Sequence, residues 1–576
     1  MNIVLIDVLP EFERCFKELG HTLKVLRLEG GVFHLPTLLD RDGFSPDFVL
    51  QQEVLGKRNY FGGLDRISCP TAFWALDSHL NMSWHMWYAR LFDVVLTPHV
   101  SLFNALPEHC RLKQIWRFAW PGEIRAFVPH TQRATTLGLC ARMSEHRPIR
   151  TWLAELLRSH DLVLREGLSH EQMMSFYDAT RIIPNECMSN EVNFRLMEGA
   201  SSGSLVLSPD VGADQDALLE PGSECLIYRD GLELLDRIFW AALRPAAAEK
   251  IGRAALQRIQ AEHLPAHRVG QLLRDLPCMG KSRLEGTAAL QAFWLVLARQ
   301  IRNGVLGLDA GGHAAEGLGL VWDAPGVALE AQFLARQLAG QVMAQVFHLF
   351  AADAASSDKA LWLYGEILSV LERRSRGSST EEAEALSRAS LLDRNVLAAA
   401  SAFALKEGQF EAAKMFWRES GAGLGKHEPG NVADLCALWA GVLEKEGRAF
   451  NAGFRFDPER GQLPEDALRW LIYGRHLEPA SRVALAPCFD ALLADKPPFL
   501  ALHLEYLAER SLFEPKNWRV QLGFGLSSIK ACRVEEGLHE LREARIKAAA
   551  EGRERLFFGR LNAWRPAGRI WESLLG

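Results

Sequence analysis

Short, fully apolar runs recur from residue 2 to about residue 275, each followed by a stretch with helical spacing. Runs at 2–8, 22–28, 48–50, 71–74 and 93–97 read as strands. Strands this apolar are buried on both faces, which a parallel sheet covered by helices provides. Gly20 is placed to cap the first helix. Between residues 118 and 130 the text FAWPGEIRAFVPH, with two prolines and a glycine, reads as a connection. The rhythm then restarts, with strands expected at 136–140, 161–165, 181–184, 205–208 and 225–228. Helices are expected at 149–159, 171–177, 192–201, 232–243 and 246–262. The fold class is therefore α/β: two Rossmann-like lobes over residues 1–128 and 129–277.

After Cys278-Met279-Gly280 strand-like runs nearly vanish, and residues 281–576 read as an all-α domain. Two patches, 400–417 and 527–544, have the grammar of helix hairpins, with turns at Gly408 and Arg533. A weaker third patch covers 438–454, and the spacing predicts an irregular, tetratricopeptide-like stack. The Ser/Arg/Gly-rich segment 373–380 reads as an exposed loop.

A chain of 576 residues exceeds what one core supports. Its net charge of -6 gives no basic footprint for nucleic acid. The ten cysteines show no C-x-x-C pair, so zinc and redox motifs are not suggested. The opening MNIVLIDV lacks a basic leader, and no apolar run reaches the roughly 18–20 residues of a membrane span. These features lead us to expect a cytoplasmic protein. The first lobe has no G-x-G-x-x-G or G-K-[ST] loop, which removes dinucleotide and P-loop chemistry.

In sheets of this kind ligands bind beyond the carboxyl ends of the strands, where helix N-termini favour phosphate. The richest segment there is 185–238, containing EGASSG (198–203), SLVLSPDVG (204–212) and GSECLIYRDGLELLDRI (222–238). It resembles the C-terminal lobe of "group 1" GT-B glycosyltransferases. Trp74-Ala75-Leu76-Asp77, Trp120-Pro121, Asn193 with Arg195 and Glu198, and the His263 to Arg268 tail resemble the CgeB-like branch. The resemblance covers residues 1 to about 275. It implies transfer of a sugar from a nucleotide-diphosphate donor to a protein or surface-glycan acceptor, with no metal and no cofactor.

The resemblance assigns the donor ribose to Glu198, read as standing at a helix start, and the donor diphosphate to Arg142 and Arg147, five residues apart. Asn190, Asn193 and Arg195 complete the donor set. Where the family has its first acidic residue this chain has Asn190, which supplies no negative charge beside a developing oxocarbenium ion. That departure keeps alive a second reading, degenerate lobes acting with the helical repeat as a binding scaffold. A third is an epimerase on the same fold. Asp77 and His79 are the catalytic candidates on the acceptor side, because a base must reach an acceptor hydroxyl. Asp77 equally fits a helix N-cap, and His99 is a weaker candidate. His263 and His267, four apart, have metal-ligand spacing but equally fit structural roles. The helical domain is expected to recruit the acceptor, or else only to stabilise the enzyme or make it oligomeric.

Overall fold

The computed structural model describes residues 1–106, 111–145, 147–187, 190–286, 288–289, 292–293, 296, 300, 398, 401–402, 404–421, 428–449, 456, 458–460, 463–493, 500–566 and 569–575. The expected loop at 373–380 lies outside them, as does the end of the third hairpin patch. The chain divides into two compact units, residues 1–118 with 272–492, and residues 119–271 with 493–576.

The main sheet of the first unit is built from β1 (Asn2–Ile6), β2 (Thr22–Leu26), β4 (Phe48–Gln52), β6 (Thr71–Trp74), β7 (Val94–Thr97) and β8 (Ile115–Arg117). Its order is β2-β1-β4-β6-β7-β8 and every pairing is parallel. A two-stranded parallel sheet, β3 (Gly31–His34) with β5 (Asn59–Gly62), was not legible in the sequence. Helices α1 (Pro10–Glu18), α2 (Leu35–Arg41), α3 (Ser78–Tyr88) and α4 (Val100–Asn104) accompany these strands. The buried ion pair Arg283 to Asp93, 2.8 Å, ties the segment beyond residue 280 to the start of β7. The helices Phe410–Glu419, Val432–Lys445 and Ala467–Leu477 pack through Trp417, Trp439 and Trp470, the first pair edge to face at 4.9 Å and the second stacked at 5.7 Å.

The second unit repeats the plan with β9 (Thr135–Cys140), β10 (Leu162–Arg165), β11 (Thr180–Pro184), β12 (Leu205–Pro209) and β13 (Leu226–Tyr228). The order is β10-β9-β11-β12-β13, all parallel. Its helices are α5 (Pro148–Arg158), α6 (His170–Asp178), α7 (Phe194–Ser201), α8 (Ala213–Asp216), α9 (Gly231–Leu243) and α10 (Pro245–Glu262), followed by α11 (Pro265–Asp275). Buried Arg133 holds the turns together, donating to the carbonyls of Val128, Thr180 and Ser202 and to Ser204 Oγ. Desolvation pushes its guanidinium down to about 10. Gly252 must be glycine, since a Cβ there would lie 2.4 Å from the Gly203 carbonyl oxygen.

The described helices beyond residue 281 are divided between the two units. Cys532, in the turn between the helices Trp518–Lys530 and Val534–Ala550, belongs to the same core cluster as Leu137, Leu207 and Leu234 of the second sheet and α9. A Cβ on Gly231 would lie 3.1 Å from Cys532 Cα and from the Ile529 carbonyl. Arg533 stacks over Trp152 of α5 at 4.9 Å, and Arg565 pairs with Asp230 at 3.1 Å. The physical reason is that the last helices bury apolar surface against the second sheet, while helices up to residue 492 group with the first unit. The leading stretch of the first unit ends at Phe118, and the second unit takes up the chain at Ala119.

Candidate functional site

Both sheets place the first strand between the second and third, so strand order reverses between β1 and β4, and between β9 and β11. Ligand crevices form at the carboxyl ends of such pairs. In the second unit the two segments leaving that point are 141–147, after β9, and 185–193, after β11.

The first segment carries Arg142 and Arg147. Arg147 is the N-cap residue of α5, with Pro148 in the first turn, where a missing N–H is tolerated. Arg142 is exposed and Arg147 half-buried. Among the described residues neither guanidinium makes a hydrogen bond or ion pair; only the Arg142 carbonyl is engaged, accepting from Arg150 at 3.1 Å. Two unengaged cations beside the positive end of an eleven-residue helix form a phosphate-attracting arrangement.

The second segment is tied down from beneath. Asn185 and Glu186 are buried. Glu186 Oε2 accepts from Arg150 Nε at 2.9 Å, and Asn185 Oδ1 accepts from Arg195 Nη1 at 2.9 Å. The remaining Arg195 donors reach the Cys140 carbonyl at 3.3 and 3.4 Å. Arg195, expected among donor contacts, is thus a buried clamp joining the ends of β9 and β11. Asn193 is the N-cap residue of α7, but its Nδ2 donates to the Glu186 carbonyl at 2.8 Å instead of capping the helix. Asn190 has φ of 60°. Asparagine enters this left-handed region far more readily than most residues, which is a backbone reason for an amide at this position.

Glu198 is the fifth residue of the eight-residue α7, not its start, which corrects the sequence expectation. Its carboxylate accepts no hydrogen bond among the described residues. Burial raises its pKa above the usual carboxylate range, with Arg195 and His170 pulling the other way. Gly199, next in the chain, lets α7 lie against β12 and β11: a Cβ there would meet Val206 at 2.8 Å.

In the first unit Asp77 is the N-cap residue of α3, but its side chain makes no capping hydrogen bond. His79 and His99 meet ring to ring, centroids 5.3 Å apart. The residue that sequence reasoning missed is Glu53, directly after β4. It accepts from the N–H groups of Leu76 and Asp77 (2.8 and 2.9 Å), from Asn81 Nδ2 (2.8 Å), and pairs with His85 Nε2 at 3.0 Å. Desolvation would raise its carboxyl, but His85 and those N–H groups hold it below the usual range. The one available signal was its place, a charged residue immediately past a buried strand.

His263 is structural: its Nε2 meets the Leu218 carbonyl at 2.9 Å, its Nδ1 meets Arg268 at 2.7 Å, and burial pushes it down to about 4. His267 Nδ1 accepts from the Leu264 N–H at 3.2 Å, so the two histidines do not converge. No cluster of three or more potential metal ligands occurs among the described residues. No described helix is long and apolar enough to cross a membrane.

Residues 135–274, nearly the whole second α/β sheet with its helices, match the family model described as "Glycosyl transferase-like". No curated protein matches the sequence. Among solved structures, the chain is similar to sucrose-phosphate synthase from Thermosynechococcus elongatus, at 12% identity and a TM-score of 0.38, over 49% of this chain and 100% of that one. It is similar to a glycosyltransferase from Rickettsia africae ESF-5 at 11% identity and TM-score 0.34, over 48% and 98% of the two chains. For Anabaena Alr3699/HepE in complex with UDP-glucose the values are 13%, 0.32, 48% and 100%.

Proposed function

We propose that the protein is a glycosyltransferase that moves a sugar from a nucleotide-diphosphate donor to a protein or surface-glycan acceptor. The observation that carries this reading is Glu198, a half-buried carboxylate with no partner among the described residues, on the unit that matches a glycosyltransferase-like family. A carboxylate so placed accepts from the two hydroxyls of a ribose. Arg142 and Arg147 neutralise the diphosphate as it leaves, where negative charge grows in the transition state. Two guanidiniums meet that need without a metal ion. Asp77 and His79 are our candidates for taking the acceptor's proton, and the helical region of residues 281–576 for recruiting the acceptor.

A thermal-shift series with uridine, guanosine and adenosine diphosphates tests the reading. A ligand at 100 times its dissociation constant stabilises by about 2.7 kcal/mol. The expected result is a shift with one nucleoside diphosphate and none with its nucleoside; no shift with any of the three overturns the donor site. Asn190, which carries no charge, favours a second reading in which the lobes bind donor without transferring sugar. Release of free sugar from the bound donor separates the two, since a scaffold leaves the donor intact.

A further inference from the structure

The first unit contains a cavity of about 290 Å³ at the amino-terminal ends of β7 and β8. Asp93 and Gln114, the residues just before these strands, line it together with residues 282–285. Ligand crevices in such sheets form at the opposite, carboxyl ends of the strands. None of the residues assigned to the donor or the acceptor lines this cavity.

One wall is a strap pinned to the sheet. The Ser282 N–H donates to Asp93 Oδ1 at 3.0 Å, Arg283 Nη1 donates to Asp93 Oδ2 at 2.8 Å, and the Leu284 N–H donates to the Arg90 carbonyl at 2.8 Å. Leu112 packs on the core of the unit, and its neighbours Arg111 and Lys113 stand exposed in the lining.

The charges select the ligand. Arg90, Arg111, Lys113 and Arg283 face only Asp93 and Glu285, an excess of two positive charges. Both carboxylates are already engaged, Asp93 by Arg283 and by the N–H groups of Thr71 and Ser282, and Glu285 by Lys281. Arg111 and Lys113 make no hydrogen bond or ion pair among the described residues. Arg283 is 6% exposed. Its Nη atoms donate to the Ile67 and Cys69 carbonyls, Thr71 Oγ1 and Asp93, while its Nε has no hydrogen-bond partner among the described residues. A buried N–H of a guanidinium without an acceptor is costly, and a ligand oxygen removes that cost. A cationic ligand meets the excess charge, and a monocarboxylate balances half of it. A phosphomonoester carries about −1.5 to −2 charges at neutral pH on three acceptor oxygens, which matches the excess. Guanidinium and ammonium groups are the side chains suited to it. The volume lies at the lower end of the roughly 300–1,000 Å³ of small-molecule sites, room for a phosphate on a small organic body.

We propose that this cavity binds a phosphomonoester, held by Arg111, Lys113 and the Nε of Arg283. The ester comes either from a soluble small molecule or from a lipid headgroup.

Phosphorus-31 line broadening of glycerol 3-phosphate at millimolar concentration tests this on the full chain carrying R142A/R147A, so that the arginines assigned to the donor do not contribute. The expected result is saturable broadening, competed by inorganic phosphate and not by acetate. Adding R111A/K113A should weaken binding about tenfold or more, because two charge-assisted donors are lost. R14A/K17A, which removes the same charge from exposed positions of α1, should leave it unchanged. Absence of broadening overturns the proposal, as does equal weakening by the two double substitutions or equal competition by acetate. If R111A/K113A melts below its parent, R111Q/K113Q, which keeps part of each side-chain stem, decides in its place. Co-sedimentation with phosphatidylcholine vesicles, with and without phosphatidic acid, separates the two sources. Sedimentation that requires phosphatidic acid and is lost in R111A/K113A assigns a lipid headgroup; broadening without such sedimentation assigns a soluble ester.

Discussion

The two sheets carry a glutamate at matching places, and its surroundings differ. Glu53 follows β4 and Glu186 lies two residues beyond β11, each the third strand of its sheet beside the point where strand order reverses. Both are buried. Both oxygens of Glu53 are engaged, by two main-chain N–H groups, Asn81 and His85, and this fixes the start of α3. Glu186 has one oxygen on Arg150, and its other oxygen, beside a cavity, has no hydrogen-bond partner among the described residues. The same topological position carries a fully engaged carboxylate in one unit and a half-engaged one in the other.

The largest effect that bears on this contrast is truncation. A chain ending at residue 277 loses the helices that share a core with the second sheet, and we expect loss of cooperative folding in that unit, read as loss of nucleoside diphosphate binding and of a sharp melting transition. A truncated chain that melts sharply and still binds would show the second sheet to be self-sufficient.

Next is Glu53→Ala, which strands His85, Asn81 and two main-chain donors in the interior. Removing one partner of a buried charged network costs about 3–5 kcal/mol. Chemical denaturation measures it, and a loss below about 1 kcal/mol would mean that solvent reaches these donors on the β4 side.

Glu198→Gln should leave the fold intact and weaken the donor by about 1.5–3 kcal/mol, roughly tenfold or more, because a charge-assisted acceptor is lost. Unchanged donor affinity by calorimetry removes Glu198 from the site. Replacing both Arg142 and Arg147 by Ala should weaken a nucleoside diphosphate far more than the bare nucleoside; equal weakening of the two ligands would make the arginines structural.

The smallest effect is in pH. Burial raises the Glu198 carboxyl, so the fold favours its neutral form. The stability this contributes is present below the usual carboxylate pKa and is lost as pH rises through the raised value. Donor binding needs the carboxylate and therefore weakens as pH falls through that same value. In Glu198→Gln this dependence should vanish, and at neutral pH the variant should melt no lower than the parent. A donor pH profile unchanged by the substitution would assign the titration to another group.

Much of this was legible in the sequence because it is local. The alternation of apolar runs and helical stretches located the expected strands and helices of both sheets to within a residue or two at most ends, since a strand buried on both faces must be apolar throughout. Arg142 and Arg147 lie in the segment between β9 and α5, and Glu198 lies within α7. Short β3, β5 and the edge strand β8 were missed because GVFH, NYFG and IWR resemble any short connecting stretch until their pairing is known. The status of each polar side chain depended on partners far along the chain. Arg195 was expected only as a donor contact, and its hold on Asn185 and the Cys140 carbonyl is visible only in the fold. Asp230 meets Arg565 across 335 residues, and Cys532 completes a core begun at Leu137. Backbone rhythm is a property of neighbouring residues, so the sequence by itself determined most strands and helices of the two sheets. Burial and pairing are settled by which surfaces meet, and only the tertiary structure decided that the last helices pack on the second sheet and that both oxygens of Glu53 are engaged while, among the described residues, only one of Glu186 is.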